Sequence, residues 1–146
     1  MYEMMRYWET ADSTRGRSPV EQDYAQIWRS ADKVVYSRTL RSFSSARTRI
    51  ERDFDAEAFR SEIARAGRDI GVGGPGLAAL ALEAGLVDEL RLFVAPILVR
   101  GGRRSLPDHV RLEVELLDER RFDGGMAYLR YRILGRDEVH QRASRP

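Results

Sequence analysis

Residues 69–86, reading Asp-Ile-Gly-Val-Gly-Gly-Pro-Gly-Leu-Ala-Ala-Leu-Ala-Leu-Glu-Ala-Gly-Leu, admit few local structures. Ile70 and Val72 predict a short buried strand, and Gly73 and Gly74 allow a tight bend and a close backbone approach. Pro75 stands where a first helical turn can spare its N–H, so a helix is expected from there. Gly85 suits the left-handed position that ends a helix, with Leu86 placed to fold apolar surface over the last turn. A helix N-terminus at the carboxyl end of a strand presents free N–H groups and the positive end of the helix dipole, which suits a phosphate. The glycines do not reproduce G-x-G-x-x-G, and no P-loop lysine and hydroxyl follow. On its own the junction fits ordinary turn chemistry equally well.

The 146 residues, 42% of them hydrophobic, suffice for one sizeable core and predict a single domain. No run approaches the about 18 apolar residues needed to span a bilayer, and the first residues lack the pattern of a signal peptide; a cytoplasmic protein with no membrane partner is expected. With no cysteine, disulfides and thiolate chemistry are excluded. The two histidines, His109 after a Pro-Asp turn and His140 in a polar tail, are expected to be solvated, and no metal site is predicted. Lys33 is the sole lysine among 25 basic residues, a pattern that coding bias explains. The 23 acidic residues are interspersed with the arginines, so no nucleic-acid footprint is expected.

Met1, Met4, Met5 and Trp8 fall at helical spacing and predict an amphipathic helix over residues 1–9. A polar loop follows over residues 10–19, in which Ser18 caps and Pro19 opens a helix carrying Tyr24, Ile27 and Trp28. Residues 33–36 form a β-branched and aromatic strand, ending in Ser37, Arg38 and Thr39. Two hydroxyls around a guanidinium suit an anion, and they suit a local turn as well. Residues 47–51 are expected as an edge strand, followed by a helix capped by Asp55, with Phe59, Ile63 and Ala66 inward and Gly67 at its end.

Residues 90–99 are nearly continuously apolar and predict a central strand covered on both faces, with a break at Pro96. Turns at 101–102 and 107–108 precede a half-buried strand in which Leu112, Val114 and Leu116 alternate with Glu113 and Glu115. Asp123-Gly124-Gly125 then predicts a hairpin into a strand over 127–133. The expected architecture is α/β, with a largely parallel sheet flanked by helices and a C-terminal antiparallel hairpin. Residues 1–135 make the domain and 136–146 a polar tail that frays.

Four segments in this order resemble the C-terminal reductase domain of riboflavin-biosynthesis deaminase-reductases, a family with the dihydrofolate reductase fold. They are Val34-Val35-Tyr36-Ser37-Arg38-Thr39-Leu40, Gly73-Gly74-Pro75-Gly76-Leu77, Gly85-Leu86-Val87-Asp88-Glu89-Leu90 and Pro96-Ile97-Leu98. The resemblance implies an NADPH-dependent oxidoreductase, 5-amino-6-(5-phosphoribosylamino)uracil reductase-like, acting on a pteridine-like or ribosylaminopyrimidine-like small molecule as a homodimer. It implies that Ser37, Arg38 and Thr39 lie near the adenosine 2′-phosphate, and that Val72, Gly73, Gly74, Pro75, Gly76 and Leu77 hold the pyrophosphate. It assigns no catalytic residue, and gives Asp88 and Glu89 a structural or interface role. Relatives begin with a strand, a substrate loop and a helix ending in Gly-Arg, ahead of the helix that here starts at Met1, so the resemblance implies an N-terminally truncated member. Arg100 stands where relatives often have glycine. The alternative expectation is a non-catalytic, truncated or degenerate module for nucleotide binding or dimerisation.

Overall fold

The computed structural model describes residues 1–11, 16–102, 104, 106–107 and 110–135. The expectations for His109, His140, the turn residue Asp108 and the tail lie outside these residues. The chain divides into two compact units, Met1–Leu77 and Ala78–Pro146, with the boundary inside one helix.

In the first unit, the expected helix over 1–9 is broken at Arg6 into α1 (Tyr2–Met5) and α2 (Tyr7–Thr10). Met1 and Met4 are exposed, so the predicted apolar stripe does not become a core face. α3 (Pro19–Ser30) begins as its sequence demands. Ser18 and Glu21 form a reciprocal capping box, in which the Glu21 N–H donates to Ser18 Oγ at 3.3 Å and the Ser18 N–H donates to Glu21 Oε2 at 2.8 Å. Trp8 packs edge-on against Tyr24 of α3 at 4.9 Å between ring centroids, and Trp28 Nε1 donates to Glu9 Oε2 at 3.1 Å. The residue of α3 that is buried is Ala25; Tyr24 and Ile27 remain exposed.

Lys33 opens β1 (Lys33–Tyr36) and is buried. Its ammonium donates to the carbonyls of Trp28 at 2.8 Å and Ala31 at 2.9 Å, satisfying acceptors that the end of α3 leaves open. Burial lowers its pKa from the ordinary lysine value. β1 pairs in parallel with β2 (Thr48–Glu51), from Lys33 opposite Thr48 to Tyr36 opposite Glu51. α4 (Ala56–Ala66) then follows, with the Asp55 carboxylate accepting from the Glu57 and Ala58 N–H groups and Gly67 ending it in the left-handed region. Phe59 is buried, and Tyr36, Phe54 and Phe59 make a chain of ring contacts at 5.6 and 5.7 Å that joins β1 to α4.

The strand expected at Ile70 and Val72 is absent. Residues 69–73 pair with no described strand, and both apolar side chains are exposed, at 40% and 37%. Two β-formers cannot hold an extended ladder without a partner to accept and donate. The helix after them is as expected. α5 (Pro75–Glu83) ends in a paired cap, with the Gly85 N–H donating to the Leu82 carbonyl and the Leu86 N–H to the Ala81 carbonyl, both at 3.0 Å. Gly85 has a φ of 64°, the left-handed value this cap requires.

The second unit contains a three-stranded antiparallel sheet in the order β3-β5-β4. β3 (Glu89–Val94), β4 (Val114–Arg121) and β5 (Ala127–Ile133) carry it, and the hairpin turn uses Gly124 and Gly125 at φ 87° and 83°. Two expectations are corrected here. The apolar run over 90–99 is a strand only to Val94, and it forms an edge rather than a centre. Pro96 has no N–H to continue a ladder, and Ile97, Leu98 and Val99 beyond it are exposed. Among the described residues the pairing is also mostly antiparallel, because β3 and β4 both join β5 in that sense and only β1 and β2 run parallel. In β4, Val114 and Leu116 are exposed while Glu115 is half-buried, and a bulge between Leu116 and Asp118 resets the register.

Candidate functional site

Parallel pairing puts the carboxyl ends of β1 and β2 side by side, and the pairing runs one residue further, with the Ser37 N–H donating to the Glu51 carbonyl at 2.9 Å. The chain turns immediately. The Leu40 N–H donates to Ser37 Oγ at 3.0 Å, closing a local hydroxyl turn. Arg52, the first residue after β2, locks that turn from outside, its Nη1 donating at 2.8 Å to both the Ser37 and Leu40 carbonyls. Asp53 holds the neighbouring guanidinium: Arg38 Nε donates to Asp53 Oδ1 at 2.9 Å, and Arg38 Nη2 donates to the same oxygen.

The turn borders a cleft of about 310 Å³. It is lined by Tyr36, Ser37, Thr39 and Arg41 and by Met1, Tyr2 and Glu3. Tyr2 is anchored by a hydrogen bond to the buried Ser45, O–H to Oγ at 2.9 Å. The Tyr36 phenol is raised above its ordinary pKa, first by burial and then by the Glu62 carboxylate, so it stays protonated and can donate. Arg38 does not line the cleft. Its side chain is 80% exposed and turned to Asp53, whereas Arg41 lines the cleft and makes no hydrogen bond or ion pair with any described residue.

The glycine junction belongs to the same unit through Leu77. Gly74 has a φ of 95°, which an L side chain rarely adopts, and a Cβ on Gly76 would meet no atom within 4 Å. Gly76 is therefore not there to admit a packed neighbour. A Cβ on Gly73 would lie 2.9 Å from the Met1 sulfur, so Met1 both lines the cleft and reaches the junction. The Arg41 guanidinium, which has no partner among the described residues, and the Ser37 and Thr39 hydroxyls make a donor set of the kind that binds phosphate; the glycines of the junction do not line the cleft, and Gly73 is covered by Met1.

Of the residues the sequence singles out, Ser37 and Thr39 line the cleft and Arg38, Val72, Gly73, Gly74, Pro75, Gly76 and Leu77 do not; Arg41, Arg52 and Asp53, at the same turn, are not singled out. Arg41 follows the recognised Ser-Arg-Thr-Leu run directly and could have been included. Arg52 and Asp53 had no local signal, since only the β1/β2 register brings them to residues 37–40. Among the described residues no group of three or more His, Asp or Glu side chains is placed to hold a metal, and no helix is long and apolar enough to cross a membrane.

The model of the RibD C-terminal domain family matches residues 4–128 of this chain. No curated protein matches it. Among solved structures, a candidate riboflavin biosynthesis protein from Shewanella sp. PV-4 is similar over 88% of this chain and 87% of its own, with a TM-score of 0.62 and 13% identity, a likeness of fold. A pyrimidine reductase-like protein from Corynebacterium diphtheriae is 25% identical over 60% of this chain and 38% of its own, with a TM-score of 0.47.

Proposed function

This chain belongs to the RibD C-terminal domain family, and from that membership we propose that it is an NADPH-dependent reductase of a small pteridine-like or ribosylaminopyrimidine-like substrate, working in the cytoplasm as a homodimer. Residues 1–135 are taken as one reductase domain, a reading supported by a family match that runs across both compact units. The observation that carries the proposal is the cleft at the end of β1, where Ser37, Thr39 and a free guanidinium meet at a turn held by Arg52.

Bound NADPH would supply the hydride. The chain's part is to bind and orient. The hydroxyls and the cationic side of the cleft would take the adenosine 2′-phosphate, and Val72, Gly73, Gly74, Pro75, Gly76 and Leu77 would hold the pyrophosphate against backbone N–H groups at the start of α5. Orientation matters because transfer needs reacting atoms held at about 3 to 3.5 Å.

The proposal predicts that NADPH binds more tightly than NADH by about 1.5 to 3 kcal/mol, the range for charge-assisted hydrogen bonds. Calorimetric titration with both cofactors checks this, and equal affinities would remove the 2′-phosphate from the cleft. NADPH oxidation in the presence of dihydropteridine and ribosylaminopyrimidine substrates then tests turnover. One observation favours a second reading, a non-catalytic module for nucleotide binding or dimerisation: the Met1 side chain occupies ground beside Gly73 that a pyrophosphate would need, so a nucleotide held mainly through its 2′-phosphate end would lack the orientation that transfer requires. Binding of NADPH with no oxidation of it by any of these substrates would favour that module.

A further inference from the structure

We propose that Arg41, and not Arg38, is the guanidinium that recognises the anionic group of the ligand in this cleft, and that Asp53 holds Arg38 out of it. The proposal rests on the cofactor reading above and names the specificity residue within it. Three observations carry it. Arg41 lines the cleft beside Ser37 and Thr39, and Arg38 does not. Both the Nε and Nη2 donors of Arg38 are spent on one Asp53 oxygen, which neutralises its charge locally and turns the fork away. Arg41 has no ion-pair or hydrogen-bond partner among the described residues, so its full fork is available to a phosphate.

Glu3 is the carboxylate on the same cleft, and it makes no ion pair with Arg41. It would repel a phosphate seated near it, which favours seating the anion toward Ser37, Thr39 and Arg41. Arg52 is the positioning residue. By fixing the carbonyls of Ser37 and Leu40 it holds the backbone from which Thr39 and Arg41 extend. In sequence Arg38 is the more conspicuous cation, flanked by its two hydroxyls. The turn geometry transfers the role three residues along.

The test is calorimetric titration of the full chain and of two variants, Arg41→Gln and Arg38→Gln, with NADPH and with NADH. Circular dichroism checks that each variant keeps its fold; both substitutions are at exposed side chains. The expected result is a loss of about tenfold or more in NADPH affinity for Arg41→Gln with NADH unchanged, and a change of less than about twofold for Arg38→Gln. If Arg38→Gln abolishes the preference and Arg41→Gln does not, the assignment is overturned while the cofactor reading stands. Equal losses in both variants overturn it too, since the fork would then be shared. If the unmodified chain fails to prefer NADPH, the cofactor reading falls and this inference falls with it.

Discussion

Glu89 accepts from Arg130 through both carboxylate oxygens, at 2.9 and 2.6 Å, and from Arg91 at 3.2 Å. These charge-assisted hydrogen bonds, those from Arg130 foremost, bring its pKa down from 4.5 to about 2. The sign of the linkage follows from the direction. A carboxylate that ionises more readily in the folded state contributes its stability above the unfolded value and loses it as the pH falls through the folded one. The window is therefore from about pH 4.5 down to about pH 2. Urea denaturation of wild type and Glu89→Gln across that window should show a steeper loss for the wild type, with the variant less stable at neutral pH. Parallel curves would mean that the pair does not couple to folding. Among the described carboxylates Glu89 is strongly held in its charged form, and its partners join β3 to β5; it does not line the candidate cleft.

Helix α5 separates what a glycine does for the fold from what it would do for a ligand. Gly85 sits at a φ of 64° in the paired cap, so Gly85→Ala forces a side chain into the left-handed region and should cost about 1 kcal/mol. Gly76 is inside the first turn of the helix with open space at its Cβ position, and Gly76→Ala should stabilise by about 0.5 to 1 kcal/mol. The added methyl would also stand where the pyrophosphate is proposed to approach the backbone. Gly76→Ala is thus expected to raise the melting temperature while weakening NADPH binding. Thermal melts by circular dichroism and a cofactor titration check the two halves separately. A stabilised variant with unchanged affinity would take the junction out of the site and leave the helix argument intact.

For the molecule as a whole, the second unit leaves apolar surface in water. Phe93 is 64% exposed, Ile97 70%, Leu98 104% and Val99 79%, and β3 is an edge strand. Exposed apolar runs beside an open strand edge are liabilities that soluble proteins cover or blunt. The homodimer proposed above would cover this one. Light scattering across a dilution series should give twice 16.7 kDa at micromolar concentration, and Leu98→Asp should return the mass to that of one chain. A single-chain mass at every concentration would remove the dimer from the proposal.

The parts of this protein that were legible in the sequence are those decided within a few residues. Ser18 and Pro19 start α3; Asp55 and Gly67 bound α4; Pro75 and Gly85 bound α5; and Asp123-Gly124-Gly125 turns the hairpin. In each case the cap, the missing N–H or the positive φ is satisfied by the residue itself or by a neighbour on the next turn. The Ser-Arg-Thr-Leu strand end was legible for the same reason, and so was the family. What only the tertiary structure decided is where distant segments meet. Ile70 and Val72 carry β propensity and form no strand, β3 takes β5 as an antiparallel partner, and the cation lining the cleft is Arg41 because Asp53 draws Arg38 aside. A strand exists only when another backbone completes its hydrogen bonds, and a guanidinium faces a ligand only when no nearer carboxylate claims it. Neither partner is encoded next to the residue it controls.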